Sequence, residues 1–173
     1  MKPDAAEITA RAVDIRLLVL DVDGVMTDGR LYFSANGEEM KCFHVRDGAG
    51  IVQLLRSGVQ IAIISGRKSQ AVEQRAEELG IAFVRQGIAD KLAAVRELLS
   101  KLNLSPDAVA CVGDDSADVP ILKIARFAIA VADAHASVKS CAHLITAAQG
   151  GCGAVREVCD LILAARGNGG SLS

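Results

Sequence analysis

Asp21, Asp23 and Gly24 close a short aliphatic run, Leu17 to Val22. Side chains two apart on an extended chain point the same way, so both carboxylates can face one site, with Gly24 letting the chain turn. Like charges so close repel unless a proton or a cation offsets them. A hard divalent cation such as Mg²⁺ takes oxygen ligands and suits that task. A calcium loop of the EF-hand type does not fit, because the sixth and twelfth positions counted from Asp21 hold Met26 and Tyr32. A second apolar run ends at Ser65-Gly66-Arg67. A hydroxyl with backbone N–H groups at a helix start forms an anion site, although Ser-Gly also serves ordinary loops. Asp90-Lys91 opens a helical stretch, and a lysine there can reach an oxyanion as a compact charge. Another run ends at Gly113-Asp114-Asp115-Ser116-Ala117-Asp118, with more acids than a single helix cap requires. Acid pair, hydroxyl, lysine and acid cluster together point to chemistry on a phosphate-like anion beside a metal ion.

These groups need a scaffold that ends its strands on one edge. The apolar runs Leu17–Val22, Val59–Ile64, Ile81–Val84 and Val109–Val112 read as buried strands, with weaker candidates at Phe127–Val131 and His143–Ile145. Between them lie helical patterns: Ile51, Leu54 and Leu55; Val72, Ala76 and Leu79, stopping at Gly80; Leu92 through Leu102; and Val155 through Ile162. Alternating strands and helices predict an α/β fold, a doubly wound, mostly parallel sheet with helices on both faces. Ligands of such sheets bind outside the carboxyl ends of the strands, where the acids, Ser65 and Lys91 fall. The segment 27–45 breaks the alternation. Ser34-Ala35-Asn36-Gly37 lies between Arg30–Phe33 and Glu39–Val45, and Asn-Gly predicts an inserted β-hairpin. Residues 1–15 read as a lead-in and 167–173 as a flexible tail, so a single domain over 1–173 is expected.

Composition narrows the function. Hydrophobic types make up 51% of the 173 residues and the net charge is −2, which excludes a disordered chain and argues against phosphate-neutralising nucleic-acid binding. Aromatics are 3%, too few for a base-stacking platform, and an aliphatic core fits parallel strands buried on both faces. No apolar run approaches a membrane span, and Asp4, Glu7 and Asp14 in the N-terminal stretch do not fit a signal peptide. Five cysteines without a C-x-x-C pair are expected to be reduced thiols in the cytoplasm.

With the motifs Asp21-x-Asp23-Gly24, Ser65, Lys91 and Gly113-Asp114-Asp115-x-x-Asp118 in this order, the chain resembles the haloacid dehalogenase (HAD) superfamily of phosphotransferases over residues 17–165. Asp21 to Gly29, Val45-Arg-Asp-Gly48, Ser65-Gly-Arg-Lys68, Val131-Ala-Asp-Ala-His135 and Gly153 to Cys159 are similar to the 3-deoxy-D-manno-octulosonate 8-phosphate (Kdo-8-phosphate) phosphatases, which serve lipopolysaccharide synthesis. One position departs: Cys152 stands where that family usually has arginine. Neither Asp23–Ser65 nor Ser65–Lys91 has room for a cap domain.

The resemblance implies a Mg²⁺-dependent phosphomonoesterase acting on a small sugar-acid phosphate, with no nucleic-acid or membrane partner. It makes Asp21 the nucleophile and Asp23 the acid/base. Mg²⁺ is held by the Asp21 and Asp114 carboxylates and the Asp23 carbonyl. Ser65, Gly66 and Lys91 bind the phosphoryl oxygens, while Asp115 and Asp118 orient metal waters or Lys91. Thr27, Arg46, Arg67 and Lys68 are expected to meet the substrate. Related members act on sialic-acid-type 9-phosphates, which is the alternative substrate class. A phospho-receiver module is the alternative outside enzymology, but receivers place acid pair and phosphoacceptor on different strands and lack a counterpart of Asp23. The hairpin carries Leu31, Tyr32, Phe33, Met40, Cys42 and Phe43. It either folds onto its own domain or packs on neighbouring copies, as in the family's tetramers, so that the lid over the site comes from other subunits.

Overall fold

The computed structural model describes residues 4–167. Six parallel strands form one sheet: β1 (Leu17–Leu20), β4 (Gln60–Ile64), β5 (Phe83–Arg85), β6 (Val109–Gly113), β7 (Phe127–Ala130) and β8 (Leu144–Ile145), in the order β5-β4-β1-β6-β7-β8. β1, β6 and β7 are buried along their whole length, which is why they read as unbroken aliphatic runs rather than alternating ones. The helices are α1 (Ala5–Ala12), α2 (Val45–Arg56), α3 (Gln70–Leu79), α4 (Lys91–Leu102), α5 (Val119–Leu122), α6 (Ala136–Lys139) and α7 (Ala154–Ala165). One group, α1, α2 and α7, packs together, and so does α4 with α5 and α6. The doubly wound α/β expectation holds.

Strand order explains the site's location. From β1 the chain moves outward through β4 to β5, then crosses back to β6 and continues outward through β7 to β8. The direction of winding therefore reverses at β1, and a crevice opens beyond the carboxyl ends of β1, β4 and β6. Registers of Leu20 beside Ile63 on one side and Val112 on the other carry Asp21, Ser65 and Asp114 to that edge.

Several boundaries differ from the sequence reading. Residues 1–15 contain a helix, α1, whose N-terminus is capped by Asp4 accepting from the Ala6 N–H at 3.2 Å, and whose Ile8 and Ala12 are buried. The expected second hairpin strand, Glu39–Val45, shortens: β2 (Tyr32–Phe33) and β3 (Glu39–Met40) pair over only Tyr32–Met40 and Phe33–Glu39. His44 is the extended N-cap of α2, so Val45 begins that helix instead of ending a strand. The turn itself is as predicted, closed by the Gly37 N–H donating to the Ser34 carbonyl at 3.0 Å. α4 stops at Asn103, which adopts a left-handed φ of 52°, a conformation asparagine tolerates at helix ends. The tail expected to be flexible lies, apart from Gly167, outside the described residues.

Candidate active site

Asp21 follows directly on β1, with its N–H on the Val112 carbonyl at 3.3 Å. Beyond it the chain curls tightly: the N–H groups of Val25, Met26 and Thr27 all donate to the Val22 carbonyl. Gly24, at φ +90°, lies on this curl where a Cβ would stand 2.1 Å from Asp114 Oδ2. Only glycine lets the acid from β6 come this close to the loop after β1.

Lys91 is the first residue of α4, and side chains there tilt back past the helix N-terminus. Its ammonium enters the crevice almost completely buried, 2.9 Å from Asp21 Oδ1 and 2.7 Å from Asp118 Oδ1. Asp118 Oδ2 accepts from the N–H groups of Asp114 (3.0 Å) and Asp115 (3.3 Å). Asp21, Asp114 and Asp118 thus bring carboxylate oxygens within 4.8 Å of one another. Asp118 has both oxygens engaged, which leaves Asp21 and Asp114 as the acids available to a cation. Asp115 caps the short turn Ser116–Asp118 through the Ser116 N–H at 2.6 Å, so it and Asp118 form a reciprocal capping box. Two of the cluster's acids, Asp115 and Asp118, thus serve one cap, which leaves Asp114 beyond what that cap requires.

The charge balance is uneven, with three acids around one ammonium. Burial, then repulsion from Asp118, pushes the Asp21 carboxyl up to about 6 against the pull of Lys91. Burial and the charges of Asp21, Asp118 and Asp115 push Asp114 up to about 8. Burial works to lower the Lys91 ammonium, but Asp21 and Asp118 outweigh it and hold it above its usual value. Two oxygen-donor acids that resist ionisation for want of positive charge are a good fit for a divalent cation. The Asp23 carbonyl accepts no backbone hydrogen bond among the described residues.

Ser65 is buried at the end of β4, and its hydroxyl accepts from the Arg67 N–H at 3.4 Å. Asp23 lies in a different environment from Asp21. Its Oδ1 takes the ammonium of Lys41, and its Oδ2 lies 3.6 Å from Arg67 Nε. Glu39 Oε1 in turn meets Arg67 Nη2 at 2.8 Å and Lys41 Nζ at 3.4 Å. Lys41 and Glu39 escaped the sequence reading. The available signal was their spacing of two on the expected strand 39–45, which would put both on one face, with a lone lysine amid Met40, Cys42 and Phe43.

Not every expected residue converges. The Thr27 hydroxyl is buried and tied to the loop, donating to the Val22 carbonyl at 3.3 Å and accepting from the Gly24 (3.4 Å) and Gly29 (3.3 Å) N–H groups. Its visible work is to hold the curl. Arg46 is exposed on the first turn of α2, and the exposed Lys68 lies along Gly87. The loop before α7 packs on the curl, with the Gly151 N–H on the Val25 carbonyl at 2.9 Å. A Cβ on Gly150 would stand 1.7 Å from the Gly24 carbonyl oxygen. Asp133 and Glu157, in the segments that carry the resemblance, hold this loop: Asp133 accepts from Gly150, Glu157 from Ala147 and Ala148. Cys152 is exposed on the same loop. A concavity of about 1090 Å³ between α1 and β8, lined by Ile8, His143 and Leu144 among others, involves none of the residues gathered around Asp21 and Asp23.

The haloacid dehalogenase-like hydrolase family matches residues 81–157. The 3-deoxy-D-manno-octulosonate 8-phosphate phosphatase KdsC of Escherichia coli K12 is 50% identical over 165 residues, covering 95% of this chain and 88% of that protein. The chain belongs to the KdsC phosphatase family. The family's structure from Yersinia pestis superposes with a TM-score of 0.93 at 49% identity, covering 94% of this chain and 88% of that one. That from Moraxella catarrhalis, in complex with magnesium, phosphate and KDO, gives 0.93 at 42% identity and 94% coverage of both. Membership of this family of phosphoric monoester hydrolases sets aside the receiver-module alternative. Among the described residues no helix is long and apolar enough to cross a membrane.

Proposed function

We propose that this chain hydrolyses Kdo-8-phosphate to Kdo and phosphate in the cytoplasm, through a phosphoryl group carried on Asp21. The observation that carries the reading is the division of labour between the two acids of the curl. Asp21 is buried against Lys91, while Asp23, two residues on, is held apart by Lys41 and Arg67. Asp21 uses a carboxylate oxygen to attack phosphorus as the bond to the sugar oxygen breaks, and Asp23 gives its proton to that oxygen. Asp23, now a carboxylate, takes a proton from water as the water oxygen attacks phosphorus. The bond to Asp21 then breaks and phosphate leaves. The Lys91 ammonium, the Ser65 hydroxyl and the Gly66 N–H bind the phosphoryl oxygens as charge develops. Mg²⁺, which the carboxylates of Asp21 and Asp114 and the carbonyl of Asp23 would hold, lowers the repulsion between anionic nucleophile and anionic phosphate.

EDTA is expected to silence turnover and Mg²⁺ to restore it; undiminished activity in metal-free buffer would remove the metal assignment. Cys152 supplies no cation where the family usually has arginine, which keeps a nonulosonate 9-phosphate in play. Comparing kcat/KM for Kdo-8-phosphate, N-acetylneuraminate 9-phosphate and a hexose phosphate decides between them, with the first expected highest. We further infer a homotetramer in which neighbouring copies cover the open site. Leu31, Phe33 and Met40 of the hairpin are 49%, 58% and 54% exposed, an apolar face that does not fold onto its own domain. A monomeric mass by light scattering at micromolar concentration would count against this assembly.

A further inference from the structure

Lys41 occupies an unusual place. It lies just beyond the short hairpin whose Phe33 and Met40 are largely exposed, yet its own side chain is 2% exposed. Buried lysines are rare unless paired, and this one pairs with the carboxylate that the proposed reaction uses for proton transfer. The contacts form a closed ring of alternating charge. Lys41 meets Asp23 Oδ1 and Glu39 Oε1, while Arg67 meets Asp23 Oδ2 at 3.6 Å and the same Glu39 oxygen at 2.8 Å. Each oxygen of Asp23 therefore has its own cation, and both cations share one counter-ion. The terminal torsion of an aspartate is otherwise broad, and two-point contact fixes it. Proton transfer demands such control, because donor and acceptor must come within about 2.6–3.2 Å. Arg67 is 46% exposed and its contact with Asp23 is long, so the buried Lys41 is the stronger constraint.

We propose that Lys41 is a positioning residue for the acid/base step: anchored by Glu39, it aims the Asp23 carboxyl group at the leaving-group oxygen. The inference rests on the reading of Asp23 as acid/base. Among the described residues Lys41 makes no hydrogen bond or ion pair with Asp21 or Asp114, so phosphate binding and nucleophilic attack are separate from its work.

The test uses two substrates that differ in their need for a proton. A sugar alkoxide must be protonated as it leaves, whereas p-nitrophenolate leaves unaided. The parameter is kcat/KM with Mg²⁺ present, which reports steps up to leaving-group departure. For Lys41→Met the expected loss is about 10- to 100-fold on Kdo-8-phosphate and less than about threefold on p-nitrophenyl phosphate. Lys41→Arg, which keeps a cation in reach of Asp23, is expected to recover part of the loss. Inhibition by inorganic phosphate, which needs an intact crevice, is expected to stay unchanged. Equal losses on both substrates, or a lost response to phosphate, would show a merely structural role and overturn the proposal. Asp23→Asn is the control. If it discriminates between the substrates and Lys41→Met does not, the positioning role falls while the acid/base assignment stands. If Asp23→Asn fails to discriminate, the assignment falls and takes the Lys41 proposal with it.

Discussion

Two clusters of charge sit side by side on one sheet edge, built on opposite principles. Around Asp21 the groups are buried and unbalanced: Asp21, Asp114 and Asp118 share the single ammonium of Lys91. Around Asp23 they are nearer the surface and balanced, two acids against Lys41 and Arg67. The unbalanced cluster attracts a cation and resists ionisation without one. The balanced cluster needs no further charge, and its contribution is geometry. One motif of alternating aspartates thus places its two carboxylates in different surroundings, as the proposed division of labour requires.

The largest effects should come from removing the two acids themselves. Asp21→Asn is expected to lower kcat on Kdo-8-phosphate by on the order of 10⁴-fold or more, with far-UV circular dichroism unchanged. Asp23→Asn should cost on the order of 10²–10⁴-fold. Substantial residual turnover with Asp21→Asn would remove the covalent route.

Lys91→Met attacks the unbalanced cluster from its positive side. It should lose about 10²–10³-fold in kcat, as for a donor to the reacting oxygens. It should also melt at a lower temperature, and by more at alkaline pH, where the remaining acids ionise and repel. A melting difference that does not grow with pH would contradict the reading of the cluster as short of positive charge.

The third test is linkage between protons and metal. Folding raises Asp21 to about 6 and Asp114 to about 8 from an ordinary 3.8. Between those limits the folded chain binds more protons than the unfolded chain, so these groups lower metal-free stability as pH rises through the window. Mg²⁺ competes with the same protons. Its thermal stabilisation should therefore be larger at about pH 8.5 than at about pH 5.5; equal shifts in a melting assay would argue against metal binding at Asp21 and Asp114. Smallest of all, Glu39→Gln loosens the balanced ring at its partly exposed corner. Its stability cost should stay within about 1 kcal/mol in denaturant titration.

Much of this was legible along the chain. Strands buried on both faces announce themselves as aliphatic runs, and the residues that end those runs must lie at one edge of a parallel sheet. Asp21, Ser65 and Asp114 could be placed from that alone, and Lys91 from its position at the start of the helix that follows β5. The hairpin turn was visible in Asn36-Gly37, but the strand lengths were not, because His44 ends the extended segment as the N-cap of α2. α1 was missed, although Asp4 with Ile8 and Ala12 at helical spacing was signal enough.

What the sequence by itself determined was the inventory and its address: which acids, which lysine, and which edge of which kind of sheet. Tertiary structure decided the pairings. That Asp118 holds Lys91, that Gly150 lies against Gly24, and that Lys41 reaches Asp23 across 18 residues are contacts between separate segments. Local periodicity reports how a segment turns relative to itself. It carries no information about which distant segment fills the space beside it, and the charges on this edge take their separate roles from those neighbours.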